Sequence, residues 1–105
     1  MTIGEWIDTR TPSPPPELRS LVRAALGAAA MEDARWTADR CVDAAERLVA
    51  EVLGEGRTSR AHAAELLTAD ALVTYAFEAA SDEPATLLAR AHGAMTRLAR
   101  LGAAG

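Results

Sequence analysis

Apolar side chains recur at three- and four-residue spacing along most of this chain, as in helices that bury one face. Four such segments occupy about residues 15–29, 32–53, 59–80 and 81–102, with a break between 27 and 32. None of them shows the sustained apolar and polar alternation of a strand. The pattern predicts an all-α fold, a four-helix bundle that follows a proline-rich N-terminal arm.

The third segment is apolar around most of its circumference. Its large apolar side chains include Leu66, Leu72, Val73 and Phe77, and alanines widen the arc further. A helix with so wide an apolar surface needs more than one neighbour to cover it. We therefore expect the third helix to be the most central element of the bundle.

The arm comprises residues 1–16, and the bundle domain comprises residues 17–102. Residues 1–12 show no helical period, and the prolines at 14–16 favour an extended, polyproline-like chain. Trp6 and Ile7 in the arm are costly to leave in water. Two interpretations stay open: the arm folds back onto its own bundle, or it docks on another protein chain.

Alanine is the commonest residue, and the chain has no Lys, Asn or Gln. This composition favours helix almost everywhere. The apolar fraction is 50%, but alanine supplies much of it and adds little apolar area for each residue. A core this thin is often completed by a second copy, so we expect a homodimer.

Charge and cysteine content narrow the class of partner. The formal net charge is −4, whereas proteins that bind nucleic acids normally carry a basic face. No apolar run of about 18 residues occurs, and the opening residues do not resemble a signal peptide, so we expect neither membrane insertion nor export. The single Cys41 lies in the apolar seam of the second helix, which predicts core packing and a cytoplasmic protein.

Candidate chemistry is sparse. The chain has no paired nucleophile and base, no phosphate-binding glycine loop and no zinc-type spacing, so we expect no enzyme activity, no cofactor and no resident metal. His62 and Glu65 stand three apart on the third helix, and Asp70 follows on the same helix. They support an alternative hypothesis, a small-molecule or metal-binding bundle that uses Glu65, His62 and Asp70.

The leading hypothesis from the sequence is a small helical protein that acts through protein–protein contact. Its partner would be a second copy or another protein, for which it serves as subunit or adaptor. The predicted contact residues are Trp6, Ile7 and Trp36, because they lie outside the regular apolar seams and aromatic residues are enriched at interfaces.

Overall fold

The computed structural model describes the backbone of residues 1–55, 60–81 and 84–104 and the side chains of 1–54, 62–81 and 91–102. Over these residues it contains no strand, and it contains two short 3-10 helices (Gly27–Met31 and Ala34–Trp36) and five α-helices. The α-helices are α1 (Ile3–Asp8), α2 (Pro16–Leu26), α3 (Thr37–Glu55), α4 (Arg60–Ala80) and α5 (Pro84–Ala104). The all-α prediction is confirmed, but the predicted count of four helices omits α1.

Helix α1 lies in the segment that the sequence predicts to be irregular. Thr2 caps it, because its hydroxyl accepts a hydrogen bond from the Glu5 backbone N–H at 3.2 Å while the Glu5 carboxylate accepts one from the Thr2 N–H at 2.9 Å. This backbone hydrogen bond lowers the pKa of Glu5. Reciprocal capping stabilises a helix of six residues that is too short to show a period in the sequence.

The arm packs against its own bundle. Ile3 and Ile7 are 0% and 2% exposed and belong to the main hydrophobic core. The Ile3 backbone N–H donates to the Glu32 carbonyl at 2.9 Å, and a salt bridge of 2.6 Å joins Asp8 to Arg23 on α2. The sequence leaves two interpretations of the arm open. In the structure the arm folds back onto its own bundle.

The connection between α2 and α3 is longer than the sequence pattern predicts. Helix α2 ends at Leu26 rather than near residue 29, and Gly27 has a φ of +56°, which favours glycine. Asp33 then accepts a hydrogen bond from the Arg35 N–H at 2.9 Å, and this local bond holds a 3-10 turn. Helix α3 consequently begins at Thr37 instead of residue 32.

Helices α3 and α4 form the most extensive contact between elements, and both also contact α2 and α5. The buried residues that α3 and α4 contribute to the core are mostly small, including Cys41, Ala44, Ala45, Ala69 and Ala76. Leu72 is fully buried, but Leu66, Leu67 and Phe77 on α4 are exposed. As expected, more than one neighbour packs on α4, but Leu66 and Phe77 of its predicted apolar arc stay uncovered. Helices α3 and α4 share the centre of the fold. No described helix has an apolar stretch that could cross a membrane.

The packing of α1 leads to a prediction about stability. The substitution Ile7→Ala should lower the free energy of unfolding by about 2–5 kcal/mol, because it leaves a cavity in the core, and Ile7→Val should lower it by about 0.5–1.5 kcal/mol. Leu21→Ala is the control, since Leu21 on α2 is exposed. Urea denaturation measures all three. An Ile7→Val variant as stable as the parent protein, together with a small effect of Ile7→Ala, would contradict the core role of the arm.

Candidate functional site

A groove runs between α3, α4 and α5 and encloses a volume of about 560 Å³. Eight of its described lining residues have little or no side chain, and Val42, Val49 and Val73 also line it. The eight small residues are Ala38 and Ala45 on α3, Ala69, Ala76 and Ala80 on α4, and Ala91, Gly93 and Ala94 on α5. Alanine brings helix backbones together but leaves the space between three helices unfilled, so the alanine-rich composition is the direct cause of this groove.

Larger apolar side chains flank the groove but do not close it. Leu66 and Phe77 on α4 are 44% and 49% exposed, and Met95 and Leu98 on α5 are 69% and 38% exposed. Met95 and Leu98 continue the apolar three- and four-residue spacing of the fourth segment, which predicts that they are buried; their exposure shows that this prediction is wrong. Exposed apolar side chains that line one groove are typical of interaction and ligand-binding surfaces.

Four charged residues line the groove among its described residues: Asp39, Glu46, Asp70 and Arg97. Nε of Arg97 donates to Oε1 of Glu46 at 2.5 Å, so this ion pair joins α5 to α3. The Glu46 side chain is the less exposed partner. The groove therefore combines apolar walls with a few charged groups, which is the usual composition of a site for an organic ligand.

The structure separates the three residues that the sequence predicts as ligand-binding. Asp70 lines the groove, whereas His62 and Glu65 do not. Five residues at about 100° each place Glu65 and Asp70 about 140° apart around the helix axis. His62 is buried, and Oε2 of Glu65 is buried without a hydrogen bond from any described residue. The described part of the chain contains no group of three His, Cys, Asp or Glu side chains that could hold a metal ion.

No family model, curated protein or solved structure matches this chain.

The three predicted contact residues also have different environments. Ile7 is in the core, and Trp6 is half-buried between the Tyr75 ring, at 6.2 Å in an edge-to-face contact, and the Arg10 guanidinium, at 4.3 Å. Trp36 is 42% exposed, with the guanidinium groups of Arg35 and Arg40 at 5.5 and 6.0 Å from its ring. Of the three, Trp36 presents the most accessible ring to a partner.

Sequence reasoning missed the residues that open the groove, Phe77, Met95 and Arg97 among them. The spacing identifies Phe77 and Met95 as apolar, but it does not show whether another helix covers them. The available signal was the excess of alanine on three successive helices, which indicates unfilled space. The sequence predicts a shortage of large apolar side chains for the core as a whole, and it does not indicate that the unfilled space lies between α3, α4 and α5.

The Cys41 side chain is fully buried, as the sequence predicts, and it is not part of the groove. Burial raises the pKa of its thiol from the ordinary value of 9.0 to about 12. The thiolate is the reactive form, so the folded protein holds this cysteine in an inert state. Burial also raises the pKa of Tyr75.

The raised pKa predicts a loss of stability in alkali. The unfolded thiol ionises near pH 9.0, whereas the folded thiol stays protonated up to about 12. The stabilisation is therefore complete below pH 9 and disappears as the pH rises towards 12, with a slope of up to about 1.4 kcal/mol for each pH unit. Urea titrations between pH 8 and about 10.5 measure the free energy of unfolding against pH. Its slope should be smaller for Cys41→Ala, because this variant loses the buried thiol and retains the contribution of Tyr75. Equal slopes in the two proteins would contradict this assignment.

Proposed function

We propose that this protein is a binding protein that holds a small apolar molecule in the groove between α3, α4 and α5. The observation that carries the proposal is an apolar groove of about 560 Å³ walled by three helices. Sites that bury most of a small organic ligand have volumes of about 300–1,000 Å³ and mainly apolar linings. A ligand in the groove would also cover Leu66, Phe77, Met95 and Leu98, whose exposure to water is unfavourable.

A binding role without catalysis agrees with the chemistry of the lining. Its described polar residues are three carboxylates and one guanidinium, Asp39, Glu46, Asp70 and Arg97. Cys41 and His62 are both buried outside the groove, and His92, which is exposed on α5, does not line it either. We propose a cytoplasmic location as well, which the single thiol supports because such a chain cannot form an internal disulfide.

A neutral apolar fluorophore, N-phenyl-1-naphthylamine, tests the proposal by its increase in fluorescence on binding. The substitution Ala94→Leu adds a larger side chain to the groove and should weaken binding by about tenfold, which corresponds to about 1.4 kcal/mol. The matched control is Ala63→Leu, since Ala63 is exposed on α4 and does not line the groove. Its affinity for the fluorophore should equal that of the parent protein.

Two results would overturn the proposal. One is an absence of fluorophore binding by a protein whose circular dichroism shows it to be helical. The other is equal weakening by Ala94→Leu and Ala63→Leu, because a site elsewhere on the molecule would not distinguish the two positions.

Protein–protein contact, as a homodimer, subunit or adaptor, is the second candidate function. Its support is a set of large apolar side chains that are exposed outside the groove: Met31, Trp36 and Leu67. Trp36 has the character of an interface anchor, because a tryptophan flanked by two arginines combines apolar area with directional polar groups.

Sedimentation equilibrium up to high micromolar concentration tests this second candidate. We expect a dimer for the parent protein and a weaker one for Trp36→Ala, by about tenfold or more in Kd if Trp36 is an anchor. Leu53→Ala is the control, because Leu53 is also exposed but lies about 25 Å further along the chain at the helical rise. A strict monomer at every concentration would contradict self-association.

A further inference from the structure

A second depression adjoins the groove on the side where α3 and α5 meet. It has a volume of about 440 Å³, and its lining shares Glu46 and Arg97 with the groove. The ion pair between these two residues therefore stands where the apolar groove and the second depression join. A ligand that occupies both spaces would pass this ion pair.

The second depression is basic, although the chain as a whole has a net charge of −4. Its charged lining residues are three arginines and two acids, Arg47, Arg97, Arg100, Asp43 and Glu46. Nη1 of Arg40 already donates to Asp43 at 3.3 Å, which offsets part of the negative charge. The guanidinium groups thus outnumber the carboxylates that could neutralise them.

The arginines have donors left for a ligand. Arg97 uses Nε for Glu46, and a guanidinium has five N–H donors in a planar fork. Nη2 of Arg47 donates to the Ala25 carbonyl at 3.3 Å, and Arg100 makes no ion pair with any described residue. Planar guanidinium groups bind carboxylate and phosphate oxygens with two parallel hydrogen bonds, so this cluster suits an anionic group.

We propose that the ligand is a single-chain amphiphile with an anionic head. This inference rests on the proposed function and extends it: the hydrocarbon chain lies in the groove, and the carboxylate or phosphate head binds Arg97 together with Arg100. The adjoining apolar and basic surfaces match the two parts of such a molecule. Because Arg97 lines both the groove and the second depression, the head would lie at Arg97 and the hydrocarbon chain would extend into the groove.

A cationic amphiphile is the opposite alternative, because Asp39 and Asp70 also line the groove. These two carboxylates lie on different helices, α3 and α4, and Asp39 already takes part in another interaction. The three arginines, in contrast, share one depression. The structure therefore favours the anionic head.

Four ligands with the same alkyl chain separate these possibilities: dodecanoate, dodecyl phosphate, dodecanol and dodecyltrimethylammonium. Each is used below its critical micelle concentration to displace N-phenyl-1-naphthylamine from the full chain. We expect at least one of the two anions to bind about tenfold or more tightly than dodecanol. The preference between the anions identifies the head as a carboxylate or a phosphate.

Two variants of one ion pair separate a role in binding from a role in structure. Arg97→Gln and Glu46→Gln both remove the salt bridge between α5 and α3. If this bridge were only structural, both variants would change the affinity for the anion in the same direction. We expect Arg97→Gln to weaken binding of the anion by about tenfold and Glu46→Gln to strengthen it, because a competing carboxylate is removed. Arg35→Gln, remote from both depressions, should have no effect.

The outcomes distinguish this inference from the proposed function. Equal affinity for dodecanol and both anions, or tighter binding of dodecyltrimethylammonium, overturns the anionic head but leaves the apolar site in place. Failure of all four ligands and of the fluorophore overturns both. Parallel weakening by Arg97→Gln and Glu46→Gln, with unchanged helicity and Tm, also overturns the assignment of Arg97.

Discussion

The contact between α3 and α4 through alanines and other small side chains is the constraint on which the rest of the structure depends. Ala44, Ala45, Ala69 and Ala76 are all buried there. Small side chains allow two helices to approach closely, but each of them contributes little apolar area. The pair therefore needs larger residues from other elements, and the surrounding helices supply them unequally.

On the side of α1 and α2, the space is filled. Ile3, Ile7, Val22 and Leu26 are buried and join Leu72 in the main cluster. On the side of α5, three of the six described residues that line the groove are alanine or glycine, and the larger Met95 and Leu98 are exposed. One property of the sequence, its reliance on alanine, thus makes the N-terminal segment necessary to the core and leaves an apolar groove on the other side.

Two ion pairs connect neighbouring helices on the two sides of the α3–α4 pair. Arg23 joins Asp8 of α1 to α2, and Arg97 joins α5 to Glu46 of α3. Both pairs are partly exposed, so each contributes little to stability, on the order of 0–1 kcal/mol. Their main effect is to set the position of one element on another, and at Arg97 this places a guanidinium beside the apolar groove. Because the sequence contains arginine and no lysine, such positions carry planar, multidentate donors.

The sequence by itself determined the helical class, the approximate extents of α4 and α5 and the burial of Cys41, because these depend on local propensity and on a periodic pattern longer than three turns. It did not reveal α1, whose six residues are shorter than two turns, or the 3-10 segments before α3, where Asp33 bonds to the local backbone. It also placed His62, Glu65 and Asp70 together, although only Asp70 reaches the groove. Tertiary structure alone decided which apolar faces are covered: periodicity identifies the apolar side of a helix, but the bulk of the neighbouring side chains determines whether that side is filled.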